Sequence, residues 1–265
     1  MSKTGTGNAL KRKLEANEVA FGLAINQART PNISMIASAC GFDALYIDHE
    51  HNPTSLETTS AICVAALALG ITPIVRVASQ TGYEAARVLD GGAQGLMIPH
   101  VNTADEARAI VTACRFPPIG HRSAGGAGPS LFYQNMPQGE INDHLNRETI
   151  LIAMLETPKA IDNADAIAAV EGIDVLHIGS NDLCTEMGIP GQYHHPKLRE
   201  AYERLAGACA AHGKKLGVGG IWTDLPLQTQ LINLGARFLI TGSDVHYLMR
   251  AARADLADLR AIKSS

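Results

Sequence analysis

The sequence has 265 residues, of which 46% are hydrophobic and 18% charged, and its formal net charge is -4 at pH 7. That is enough apolar material for a sizeable core and too little charge bias for disorder, and the short Lys11, Arg12, Lys13 cluster is the longest basic run, so no nucleic-acid partner is expected. No stretch approaches the ~20 uninterrupted apolar residues of a membrane span, and the polar N-terminus does not read as a secretory signal.

Taken in chain order, residues 1–7 read as a loose tail preceding one domain that fills the rest of 1–265. Short apolar runs rich in β-formers then recur at 19–25, 44–49, 72–77, 95–99, 150–155, 175–178, 215–219 and 238–242. Each is followed by a segment of helical length, for example 55–69 after the second and 103–114 after the fourth. Strand and helix in alternation is the pattern of a parallel α/β sheet, and eight such units, at a length close to the roughly 250 residues of a (β/α)8 barrel, predict a closed TIM barrel. The longest interruption, 116–147, carries Pro117, Pro118 and the glycines at 120, 125, 126 and 128. It reads as a long loop that covers the site or meets a neighbouring subunit. The five cysteines (Cys40, Cys63, Cys114, Cys184, Cys209) lack paired spacing and mostly lie in apolar helical runs, which reads as reduced, buried thiols in a cytoplasmic protein.

The informative polar residues fall at the C-terminal ends of the predicted strands, the face on which barrel active sites form. The second run ends in Asp48, His49, Glu50 and His51. Four ionisable groups in succession are hard to explain by packing, although a solvated loop entry or a zinc pair of His49 and His51 would also use them. In the third run, Arg76 interrupts Ile74, Val75 and Val77. An always-charged fork there either meets an anionic oxygen or forms a structural ion pair with Asp48 or Glu50. Glu156 follows the fifth run, where it is either a ligand at the barrel mouth or a neighbour of a helix N-cap. The sixth run leads into Gly179, Ser180, Asn181 and Asp182, whose successive backbone N–H groups suit a carboxylate or phosphate.

Glu156 and Asp182 would then stand on adjacent strands at similar depth and hold one hard cation through oxygen. Such a cation leaves positions for a chelating 2-oxo acid, polarises its keto group and stabilises an enolate. A Schiff-base mechanism would need a lysine projecting from a strand into the barrel, whereas Lys215 opens its strand and Lys159 falls in the first turn after Pro158.

With these residues in place, IDHEH, IVRV, LDGGAQGLMIPHV, FPPIGHR, LETPKAIDN and IGSNDL together resemble the HpcH/HpaI family of class II pyruvate aldolases, in order and over nearly the whole chain. The resemblance implies cleavage of a 4-hydroxy-2-oxo acid to pyruvate, or a close 2-oxo acid, and an aldehyde. It implies that Glu156 and Asp182 bind Mg2+, Mn2+ or Co2+, and that Arg76 contacts the pyruvyl oxygen. His51 would act as acid/base through a water, oriented by Asp90 of an adjacent subunit and assisted by Asp48, with Glu50 in support. The amides of Ser180, Asn181 and Asp182 would receive the substrate carboxylate, beside Gly219. A homohexamer built as a trimer of dimers is implied as well. Relatives commonly carry Trp, Gln and Leu where this chain has Ala24, Met154 and Gly219, which predicts a wider, more apolar acceptor side. Two other readings use the same residues: a related lyase acting on oxaloacetate or a CoA thioester, and a noncatalytic ligand-binding barrel.

Overall fold

The computed structural model describes residues 7–79 and 82–262. Most of the predicted loose tail therefore lies outside the described residues. Eight parallel strands close into a barrel in sequence order: β1 (Ala20–Ile25), β2 (Ala44–Asp48), β3 (Thr72–Arg76), β4 (Gly95–Ile98), β5 (Ile150–Leu155), β6 (Val175–Gly179), β7 (Lys215–Gly219) and β8 (Ala236–Ser243). The (β/α)8 prediction is met, and every predicted run corresponds to a strand within about two residues at either end, the usual uncertainty of element boundaries.

Alternation along each strand divides the apolar residues between two cores. Leu45, Ile47, Val75, Leu96 and Leu176 face outward to the helices, where they form the larger core. Ala20, Tyr46, Ile74, Met97, Ile152 and Phe238 fill the barrel interior, joined by Leu10 and Leu14 of helix Ala9–Glu15. The amide of Leu10 donates to Oγ1 of Thr72, the first residue of β3, so this helix plugs the N-terminal end of the barrel. The opposite end remains available for chemistry.

Local signals set the helix ends. Ser55 caps helix Leu56–Leu69 by accepting from the Thr58 amide, and Gly70 ends it at φ +72°, a conformation that costs glycine nothing. Thr103 and Glu106 form a reciprocal capping box at the start of helix Ala104–Cys114. The long interruption departs from the expected loop. Its second half is helix Gln138–Glu148, which buries only Ile141 and His144 and so leaves little apolar periodicity to read. Its first half returns along the preceding helix, with the amides of His121 and Arg122 donating to the carbonyls of Thr112 and Arg115.

Candidate active site

The inward positions of the last strand turn change from apolar to charged. Asp48 and Arg76 are register partners across β2 and β3, both side chains are buried, and they meet in a bidentate pair: Nε to Oδ1 at 2.8 Å and Nη2 to Oδ2 at 2.8 Å. Arg76 Nη1 also lies 2.6 Å from Glu50 Oε2. Arg76 thus forms the structural ion pair, and its guanidinium also lines the cavity at the barrel mouth. Burial alone would push the Asp48 carboxyl up, but the Arg76 fork outweighs it and holds Asp48 below the ordinary carboxylate range.

Alternation would put His49 and His51 on one side, but β2 ends at Asp48 and the two histidines part. His49 turns out between helices, with Nε2 2.7 Å from Thr59 Oγ1 and Nδ1 3.2 Å from Glu84 Oε1. It therefore cannot share a cation with His51. His51 stands at the rim with its side chain 62% exposed, 4.0 Å from Glu50 Oε2.

Glu156, just beyond β5, is fully buried. Its Oε1 accepts the His100 amide at 2.8 Å, while Oε2 has no hydrogen-bond partner among the described residues. Loss of hydration, with Asp182 and Glu50 adding negative charge nearby and His100 opposing, pushes the Glu156 carboxyl up to about 7. A buried carboxylate oxygen without a partner is costly and needs an explanation. The space beside it is kept by Gly179, since a Cβ there would stand 2.4 Å from Glu156 Oε2. Two carboxylates within electrostatic reach of one another, one with a buried oxygen left unsatisfied, are a donor set that fits a hard divalent cation.

Asp182 lies in the first turn of the short helix Ser180–Glu186 and lines a cavity of about 360 Å³ together with His51, Arg76, Met154 and Gly219. The Ser180 hydroxyl is 2.8 Å from Tyr202 OH, and Asn181 Oδ1 accepts from Tyr193 at 2.5 Å. Ser180 and Asn181 also line the cavity, and the first-turn amides of this helix have no partner within it.

Asp90 ends helix Gly82–Asp90 and pairs within the chain with Arg122, Nη2 to Oδ1 at 2.6 Å, while that guanidinium lies over the Phe116 ring. The Phe116–Arg122 motif thereby fixes Asp90 rather than touching the cavity. Two residues without a role in the sequence reading also belong here. His100, at φ 54°, joins the two acidic clusters: Nε2 is 3.1 Å from Glu50 Oε1 and Nδ1 is 3.2 Å from Glu156 Oε1. A histidine directly after the β4 run was a visible signal. Trp222, in the loop after β7, adds an aromatic wall to the cavity, and only closure of the barrel brings it there.

The HpcH/HpaI aldolase/citrate lyase family model matches residues 25–251, most of the chain. The chain belongs to the HpcH/HpaI family. A 4-hydroxy-4-methyl-2-oxoglutarate aldolase of Hapsidospora irregularis is 41% identical over 248 residues, covering 92% of each chain. A 4-hydroxy-2-oxo-heptane-1,7-dioate aldolase of Salmonella paratyphi C is 35% identical over 250 residues, 93% of this chain and 92% of that one. Among solved structures, an HpcH/HpaI aldolase from Desulfitobacterium hafniense superposes with a TM-score of 0.91 at 29% identity, over 96% of this chain and 98% of the other. This HpcH/HpaI chain thus keeps a family fold around charged groups collected at one end of its barrel.

Proposed function

We propose that this chain is a carbon–carbon lyase that reversibly cleaves a 4-hydroxy-2-oxo acid to pyruvate, or a close 2-oxo acid, and a carbonyl acceptor. The observation that carries the reading is the unsatisfied Oε2 of fully buried Glu156, packed against Gly179 and within electrostatic reach of Asp182. The relatives named as aldolases of 4-hydroxy-2-oxo acids support the substrate class.

Glu156 and Asp182 would hold Mg2+, Mn2+ or Co2+. When bound, such an ion supplies Lewis-acid polarisation of a keto oxygen, the electron sink that aldol cleavage requires. The amides of Ser180, Asn181 and Asp182 receive the substrate carboxylate, beside Gly219. Arg76 directs a fixed, desolvated charge at the pyruvyl oxygen, and Asp48 and Glu50 keep its planar fork from turning. His51, exposed at the rim, exchanges the proton of the C4 hydroxyl with solvent through a water. Asp90 of an adjacent subunit orients it and Asp48 assists.

Helix Asp244–Ala261 supports a homo-oligomer, a hexamer in this proposal. None of its 18 residues is buried, and Leu248, Leu256 and Leu259 are exposed along it. No described helix is long and apolar enough to cross a membrane. The five free cysteines fit the reducing cytoplasm.

The test is a panel of 4-hydroxy-2-oxo acids with pyruvate release followed continuously, with and without chelator, and with Glu156→Gln. Release that stops on chelation, returns with added divalent ion and falls at least about 10³-fold in the variant supports the proposal. Release indifferent to the chelator contradicts it.

A further inference from the structure

His177 sits on β6, inward-facing, one layer below the charged mouth, with Met154 as its register partner on β5. It is 1% exposed, and its Nδ1 has no hydrogen-bond partner among the described residues. The ring lies 6.2 Å from the Phe238 ring, tilted by 60°. Its room comes from β7, where it pairs with Gly217. A Cβ on Gly217 would stand 2.5 Å from Nδ1, and one on Gly219 would stand 2.9 Å from Nε2. Two successive inward positions of one strand are thus glycine around one imidazole, and the imidazole lines the active-site cavity.

This changes the expected acceptor side. Ala24, Met154 and Ile240 do give apolar walls, but the space below Gly219 is taken by a hydrogen-bonding ring. If the 2-oxo acid lies between Arg76, Glu156 and Asp182, it occupies the β3 to β6 side of the mouth. The acceptor is then left the side of Ala24, Tyr46, Gly219 and Ile240, toward which the imidazole leans from β6. Of the other polar groups lining the cavity, Arg76 is held by Asp48 and Glu50, while Tyr46 and Trp222 stand on other strands and loops and do not share the space below Gly219.

We infer that His177 is a specificity-determining residue, which hydrogen-bonds a neutral oxygen, a hydroxyl next to the reacting carbonyl, on the acceptor fragment. The inference rests on the aldolase reading given above. Burial, with Arg76 adding to it, pushes the His177 imidazole down to about 3, so the ring is neutral at working pH and suits a hydroxyl better than a carboxylate. A buried polar group left without its partner is the strongest means a site has of rejecting an analogue that lacks the matching group.

Glycolaldehyde and propanal test this directly, because they differ by a hydroxyl against a methyl of similar size. With pyruvate as donor, wild-type kcat/KM should favour glycolaldehyde about tenfold, the worth of one neutral hydrogen bond. His177→Phe, which keeps a ring against Phe238, should bring the ratio to within threefold of unity, and His177→Asn, which keeps an N–H, should restore part of it. A wild-type ratio below three overturns the assignment without any variant, and so does a variant that slows both aldehydes alike. Absence of aldol product from either aldehyde in the wild type, in the presence of divalent ion, overturns the proposed function itself and the inference with it.

Discussion

Replacing Glu156 by Gln should make the metal-free protein more stable. The carboxyl stands at about 7 instead of the ordinary 4.5, chiefly because burial strips its hydration. A displacement of that size corresponds to about 3 kcal/mol. Because the folded-state value is the raised one, stability associated with this group is fully present below pH 4.5 and is lost as pH rises through about 7. The amide of Gln keeps an acceptor for the His100 N–H but leaves its own NH2 unpaired, which returns about 1–2 kcal/mol. The net gain at pH 8 is about 1–2 kcal/mol, or roughly 3–6 °C in Tm for a chain of this size. Near pH 4.5 the carboxyl is protonated and the charge penalty is absent, so the order should reverse, with the variant less stable by about the 1–2 kcal/mol of its unpaired NH2. Excess Mn2+ should reverse the order at pH 8, raising the wild type by about 2.7 kcal/mol at a hundred times Kd and the variant by little. Differential scanning calorimetry of chelator-treated protein at both pH values, then with Mn2+, provides the comparison. A variant less stable than wild type at pH 8 without metal, or one that gains as much from Mn2+, would refute the reasoning.

Other consequences concern neighbouring groups. Arg76→Lys keeps a charge but loses the bidentate fork to Asp48 and the contact with Glu50, so kcat should fall about 10²-fold, and activity within threefold of wild type in a steady-state assay would count against the role given to the guanidinium. Divalent-ion affinity should fall about tenfold per pH unit below about 7, because the ion must displace a proton from Glu156, and calorimetric titration between pH 5.5 and 8 would detect a flat profile if that proton is absent. Leu256→Asp with Leu259→Asp, on the helix that buries none of its residues, should convert the assembly to smaller species in light scattering, and an unchanged mass would remove this helix from the interface.

The barrel was legible because parallel strands covered on the outside by helices read as continuous apolar runs, and each run here is bounded by turn or cap residues such as Ser55 and Gly70. Asp48, Arg76, Glu156 and Asp182 stood out for the same reason, as charges that interrupt or end such runs. Helix Gln138–Glu148 was missed because two buried residues in eleven leave no stripe to count. His100 was passed over although it follows β4 as Asp48 ends β2, and its link between Glu50 and Glu156 depends on strands that meet only in the closed ring. The place of His177 was hidden differently. Its surroundings are set by what Gly217 and Gly219 lack, and a sequence shows a missing side chain only after the facing residue is known. Asp90 pairs with Arg122, a partner 32 residues away that only the fold of the segment after helix Ala104–Cys114 brings to it.

Proton NMR of pyruvate in D2O isolates the proposed enolisation at the Glu156 and Asp182 pair. Methyl signal should disappear with enzyme and Mn2+ or Mg2+, persist after chelation, return on adding the ion back, and persist with Glu156→Gln or Asp182→Asn. Exchange that continues at full rate in chelator, or in either variant with the ion present, would contradict a cation held by those two carboxylates.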